Sequence, residues 1–236
     1  MIKTVLFDMD GTLLPMNDVK VFEKLYFKGL ATKLAPHGYK ASKLIDGVWA
    51  GTAAMIRNDG SVVNSDAFWK VFSDIFGDKA YKDIPVFDEY YRNEFVVAKG
   101  ACGYNAKAVQ VVKNLNKCGV QVVLATNPLF PLVAQLARVG WAGLSESDFV
   151  YITHYDNSHY CKPNIRYYEE IVSNLGLNPA ECLMVGNDVN EDMIAEQLGM
   201  KVFLVTDCIL NPDNKDISAY PHGNFDDLVR YLKEVM

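Results

Sequence analysis

Two aspartates one residue apart, Asp8 and Asp10, stand directly after the apolar run Lys3 to Phe7. Carboxylates this close repel each other unless a cation binds or one of them is protonated. A hard cation with oxygen ligands satisfies both, and magnesium is the usual choice where phosphate is handled. Gly11-Thr12 then supplies a tight turn. A solvated surface loop would carry the same residues, so the pair gains meaning only with partners elsewhere in the chain.

Three further segments supply such partners. Thr126 and Asn127 end the run Val120 to Ala125, where a hydroxyl and an amide can donate to a phosphate oxygen; the competing reading is a helix cap ahead of Pro128. Lys162, before Pro163, can balance a phosphate and a carboxylate as a point charge, though a solvated surface lysine has the same appearance. Asp188 follows the run Cys182 to Val185, with Asp192 four residues on. That spacing is expected to turn both carboxylates toward one cation, while an acidic helix start is the plain alternative. Asp8, Asp10 and Asp188 are expected to converge without a balancing Arg cluster. Together the set holds a nucleophile, a second carboxylate, a hydroxyl, a lysine and metal carboxylates, which suits phosphoryl transfer, where positioning and charge neutralisation dominate.

The elements around these residues must bring them to one place. The runs at Lys3–Phe7, Val120–Ala125, Phe149–Ile152, Cys182–Val185 and Val202–Val205 are short and apolar, and each ends in polar residues or Gly. They read as buried parallel strands. Helical patterns alternate with them: Asn105 to Lys117, a helix opened by Pro128 that carries Leu132, Leu136 and Val139, Asn164 to Leu175 after Pro163, Val189 to Leu198, and Asp226 to Val235. The alternation predicts an α/β fold with a doubly wound parallel sheet, whose ligands sit beyond the C-terminal strand ends. Residues 17–99 break the pattern. Val19, Phe22, Tyr26, Leu30 and Leu34 follow helical spacing, and Leu44 to Ile56, Asp66 to Phe76 and Phe87 to Val97 also read as helices. Asn17 to Lys99 is therefore expected to be an all-helical insertion in a core formed by residues 1–16 and 100–236.

Composition narrows the classes. Half of the 236 residues are hydrophobic, enough for one large core with a smaller helical unit. The charge balance is 23 basic against 29 acidic, without a Lys/Arg run, which argues against nucleic acid as a partner. Cys102, Cys118, Cys161, Cys182 and Cys208 are scattered and include no C-x-x-C, so neither a disulfide framework nor a thiolate zinc site is expected. The chain enters a strand-like run at once, without a signal-peptide pattern, and no apolar stretch is long enough to span a bilayer. The expectation is a cytoplasmic protein acting away from membranes, with its oligomeric state open.

FDMDGTLL (Phe7 to Leu14), LATN (Leu124 to Asn127), KP (Lys162-Pro163) and VGNDVNEDM (Val185 to Met193) resemble, in this order, the four motifs of the haloacid dehalogenase-like (HAD) hydrolase superfamily. The first motif is highly specific; the others gain weight from the order. The insertion resembles the family's helical cap, placed just after the first strand. The resemblance implies a magnesium-dependent phosphatase acting on a small phosphorylated metabolite. Asp8 would be the nucleophile, and Asp10 the acid for the leaving group and then the base for water. Thr126 and Lys162 would hold the phosphate, helped by the backbone N–H groups of Met9 and Asn127. Magnesium would be held by the Asp8 carboxylate, the Asp10 carbonyl and Asp188, with Asp192 nearby. Members often carry an acid directly after the Gly of the last motif, whereas Asn187 intervenes here. Anchoring on Gly186 would instead put Asn187 and Glu191 at the metal; Asp188 and Asp192 are preferred as carboxylates at the usual separation.

Within the family, dehalogenase chemistry lacks the same need for a second acid such as Asp10. A phosphonatase would use a cap lysine, and a phosphotransferase or mutase would use the same two aspartates. Outside it, a receiver domain or a degenerate phosphate-binding module is disfavoured by D-x-D-G-T, by the insertion and by the intact motifs. His154, Asp156, His159 and Cys161 share a loop with spacing too irregular for an expected metal site; the segment is expected to line the entry beside Lys162. Trp49 and Trp69 read as cap core, and Asn58-Asp59-Gly60 as a turn.

Overall fold

The structure, a computed structural model, describes residues 1–16 and 18–236. The expected boundary at Asn17 therefore lies outside the described residues. Strands β1 (Thr4–Phe7), β2 (Gln121–Leu124), β3 (Tyr151–Ile152), β4 (Cys182–Gly186), β5 (Lys201–Val205) and β6 (His222–Gly223) form one sheet in the order β3-β2-β1-β4-β5-β6. Every pairing is parallel. β1 is the switch point, with β2 on one side and β4 on the other. Phe7 pairs with both Leu124 and Val185, so the segments that follow these three strands emerge side by side.

β1 to β5 are mainly apolar because both sheet faces are covered. Side chains alternate between the faces. Val5, Phe7, Val122, Leu124, Leu183 and Val185 enter one core, which continues into the helical insertion. Leu6, Val123 and Met184 enter the other, with Tyr167, Tyr168 and Ile171.

The insertion is helical, as its spacing predicts: α1 (Val19–Leu34), α2 (Ala41–Ile56), α3 (Asn64–Phe76), the single turn α4 (Lys79–Lys82), α5 (Ile84–Arg92) and a 3-10 helix, Glu94–Ala101. Phe87 to Val97 is thus not one helix but the end of α5 and the first half of a 3-10 segment. The two chain passages at its base are tied together. Met16 bridges Cys102, and Gly103 N donates to Pro15 O at 2.8 Å.

In the core, α6 (Ala106–Lys117) starts where Asn105 accepts from the N–H groups of Lys107 and Ala108. α8 (Ile165–Leu175) is capped by Asn164, and α9 (Phe225–Val235) by a capping box of Asn224 and Asp227. Two expected helices differ. α7 spans Leu132–Trp141 and begins after Pro131, not at Pro128; a proline disfavours helical backbone in the residue before it, here Phe130. Val189 to Leu198 forms a turn and then a 3-10 helix, Met193–Leu198. Asp188 Oδ1 accepts from the N–H groups of Asn190 and Glu191 at 2.7 and 2.9 Å, a local alternative to helical bonding. Among the described residues no helix is long and apolar enough to cross a membrane.

Candidate active site

Parallel strands deliver their C-terminal ends to one edge, and the expected residues collect there. The β1 ladder runs on into the loop, where Asp8 N donates to Val185 O at 2.9 Å and Ala125 N to Phe7 O at 2.8 Å. Asp8 is buried, with its side chain at the sheet edge. Lys162 reaches it from the loop before α8: Nζ lies 2.9 Å from Asp8 Oδ1 and 2.6 Å from Asp192 Oδ1. The ammonium is wholly enclosed, beside the ring of Tyr167.

Asp192 is fixed from both sides. Its second oxygen accepts from Asp188 N at 3.0 Å, and a Cβ on Gly186 would collide with the Asp192 carboxylate. Glycine is required there because the acid packs onto the end of β4. The structure therefore corrects the expected geometry of Asp188 and Asp192: they do not face one point as a pair on an α-helix. Asp192 turns to Lys162, and Asp188 closes its own loop. Among the described residues no three His, Cys, Asp or Glu side chains converge as a group that could hold a metal ion.

The alternative pair is engaged too. Asn187 Oδ1 accepts from Thr12 Oγ1 at 2.9 Å, and its Nδ2 donates to Cys208 O at 2.8 Å. The same amide lies against Gly11, which has φ +89° and no room for a Cβ. Glu191 accepts from Asn127 Nδ2 at 3.1 and 3.2 Å. Thr126 is buried, and its carbonyl accepts from the hydroxyls of Thr153 and Tyr167 at 2.7 and 2.9 Å. Neither Thr126 nor Asn127 caps a helix, since α7 starts only at Leu132. Met9 is a core residue whose carbonyl accepts from Thr12 N and Leu14 N, closing the turn after Asp8.

Asp10 has a partner that the sequence reading missed. Arg138, from the buried face of α7, pairs with Asp10 Oδ2 and also binds Gln135. It is 1% exposed and stacks 4.6 Å from the ring centroid of Phe130. From sequence the aspartates are expected to converge without a balancing Arg cluster, and a single arginine accompanies Asp10. The available signal was Gln135 and Arg138, three residues apart in a helix whose other buried positions are Ala134, Val139 and Trp141. Asp10 Oδ1 is enclosed and has no hydrogen-bond partner.

Charge dominates the site's chemistry. Lys162 pairs with Asp8 and Asp192 and acts on Glu191, and Arg138 pairs with Asp10, so carboxyl groups outnumber the cations here. Burial pushes the Asp8 carboxyl up to about 8; Lys162 pulls it down, and Asp192 and Asp10 add to the rise. Burial also works against the Lys162 charge, but Asp192 and Asp8 outweigh it and hold the ammonium well above its ordinary value. Glu191 is raised, first by burial. The excess of hard oxygen donors suits magnesium. This ion needs only one or two protein carboxylates when water and substrate phosphate complete its shell, so a preassembled cage is not required.

A pH dependence follows for protein kept in chelator. With its carboxyl raised, Asp8 binds a proton in the folded state over a range where the unfolded chain has lost it. Its contribution to stability is complete below about pH 4 and lost as pH rises to about 8. Within that window the loss is at most about 1.4 kcal/mol per pH unit, or about 3–6 °C in melting temperature for a chain of this size. The melting temperature of Asp8→Asn relative to wild type should therefore climb between pH 5 and 8. Parallel melting curves for the two proteins would remove this account of Asp8.

Comparison with known proteins places this geometry in context. The family model "haloacid dehalogenase-like hydrolase" matches residues 2–199. YhcW of Bacillus subtilis strain 168, whose name provisionally describes it as a phosphatase, is 27% identical over 208 residues, 87% of this chain and 84% of that protein. Among solved structures, a 2-haloacid dehalogenase from Pseudomonas syringae pv. tomato DC3000 superposes with a TM-score of 0.62 at 19% identity, covering 100% of both chains. A HAD phosphatase from Thermococcus onnurineus does so with 0.59 at 17%, covering 98% of both. At these identities the two structures share the fold, and their different chemistries leave the reaction to be argued from the site.

Proposed function

The chain belongs to the haloacid dehalogenase-like hydrolases, and we propose that within this family it is a magnesium-dependent phosphatase of a small cytoplasmic phosphate monoester. The observation that carries the reading is the buried Asp8–Lys162–Asp192 chain at the sheet edge, with Asp10 two residues on and held by Arg138. A dehalogenase needs the first carboxylate as nucleophile. The second, positioned at the mouth of a cavity, suits an ester whose leaving oxygen must take a proton.

In this reading Asp8 attacks phosphorus. The bond to the ester oxygen breaks, and Asp10 gives its proton to the departing alcohol. The phosphoryl group then sits on Asp8. Asp10 next takes a proton from water, whose oxygen attacks the same phosphorus and returns Asp8 as a carboxylate with free phosphate. Lys162, Thr126 and the backbone N–H groups of Met9 and Asn127 hold the phosphoryl oxygens. Lys162 is already placed, since Asp192 orients it and the surrounding tyrosines exclude water. Magnesium would be held by the Asp8 carboxylate, the Asp10 carbonyl and Asp188, and would offset the negative charge of phosphate and carboxylates. The helical insertion, residues 17–99, would serve as the cap that selects the alcohol.

The test is a phosphate-ester panel run with magnesium and with excess chelator. Release of phosphate should fall by at least about 10²-fold in chelator and return when magnesium is restored. Full turnover in chelator would remove the metal from the reading, and halide release from 2-haloacids without phosphate release from any ester would replace the phosphatase with a dehalogenase.

A further inference from the structure

A partly open cavity of about 290 Å³ lies between the helical insertion and the core, and Asp10 and Asn187 form part of its wall. From this cavity we infer the class of ester: the alcohol carries one or two aromatic or heteroaromatic rings, is neutral or cationic, and bears no second anionic group. This deepens the phosphatase reading and rests on it, because contact with Asp10 places the departing alcohol in this space.

Size sets the first limit. An apolar cavity of roughly 150 Å³ takes a benzene ring, so the space beside Asp10 matches one ring or a small bicycle. Charge sets the second. Among the described residues the lining holds no Lys, Arg or His; its acids are Asp10 and Glu23. Arg138 is spent on Asp10 and Gln135 and does not line the cavity. A carboxylate or second phosphate on the alcohol would lose its water here and gain no cation, at a cost that excludes it.

The wall also offers little to a polyhydroxylated alcohol, because the polar groups of its aromatic residues are paired among themselves. The hydroxyls of Tyr26 and Tyr91 share a hydrogen bond at 2.9 Å, and Trp69 hydrogen-bonds Tyr155. What remains facing the ligand is ring surface. Phe22 and Tyr26 lie nearly parallel with centroids 6.5 Å apart, and Phe130 sits edge-on to Tyr26 at 5.7 Å. Trp49, expected from sequence as cap core, is instead 46% exposed and packs on Phe27 at the cavity wall. Ring faces favour a flat or cationic guest, and Glu23 adds to a cation's advantage.

The experiment compares unactivated esters of primary alcohols: benzyl and pyridylmethyl phosphate against phosphoglycolate and a hexose 6-phosphate, each with magnesium. The ring esters should exceed the others by about 10²-fold in kcat/KM. Trp49→Ala should cut kcat/KM for benzyl phosphate about tenfold, chiefly through KM, and lower phosphoglycolate by much less. Thr52→Lys, which puts a cation in the wall, should raise phosphoglycolate and lower pyridylmethyl phosphate. A second arm measures binding of benzylphosphonate and phosphonoacetate by calorimetry, without turnover. Ring-selective binding in a protein that hydrolyses no ester would retain the cavity assignment and sink the phosphatase reading. Hydrolysis or binding that favours the anionic or sugar compounds would overturn the inference.

Discussion

Asp8→Asn should leave a folded protein whose ester turnover is lower by about 10⁴-fold or more, the scale seen when a nucleophile is removed from a machinery that acts as a unit. The amide keeps the size of the side chain but cannot attack phosphorus, so no covalent phosphate should form even with an activated ester. Folding should be spared, because burial already disfavours the Asp8 charge and Lys162 keeps its bond to Asp192. Lys162→Met makes the contrast. It also removes activity, yet it strands two buried carboxylates beside each other, a change that costs about 3–5 kcal/mol when one partner of a buried pair is lost. Melting curves and rates with magnesium therefore separate the two residues: Asp8→Asn melts near wild type and is inactive, whereas Lys162→Met is inactive and melts well below it. Residual turnover of Asp8→Asn within tenfold of wild type would place the nucleophile elsewhere.

What the sequence makes legible here follows from how local the governing physics is. Five of the six strands are short apolar runs between turns, and their parallel order follows from alternation with helices. The residues β6 contributes, His222 and Gly223, carry no such run, and the strand exists only because β5 pairs with it. Asp8, Lys162 and Asp192 were legible because each follows or precedes a strand, and parallel strands bring these positions together whatever the details of the loops. The orientation of Asp192 was not, since it depends on Asp188 closing a turn instead of starting an α-helix. Arg138 lies on a helix, and its pairing with Asp10 is a tertiary contact across 128 positions. Trp49 shows the same limit: helical spacing places it on a face of α2 but does not say that the face borders a cavity.

Asp10→Asn should separate the two chemical steps. The variant keeps the backbone carbonyl and the size of the side chain, and the amide oxygen can still accept from Arg138. It loses the proton that the departing alcohol needs and the base that water needs, each worth about 10²–10⁴-fold. With an ester of an acidic alcohol, whose oxygen leaves with little help, the first step should survive better than the second. Phosphate should then accumulate on Asp8, where intact-mass analysis or borohydride trapping detects it. Arg138→Met should act on the same step from behind. Arg138 anchors Asp10 through Oδ2 and leaves the enclosed Oδ1 without a partner. Without the anchor Asp10 retains its chemistry but not its aim. The loss should therefore be smaller than in Asp10→Asn, fall on kcat more than on KM, and be steepest for esters of the least acidic alcohols. Phosphate trapped on any residue other than Asp8 would refute the nucleophile. Wild-type hydrolysis by Asp10→Asn would remove Asp10 from the mechanism, and equal losses for Arg138→Met across all esters would reduce its pairing to a structural contact.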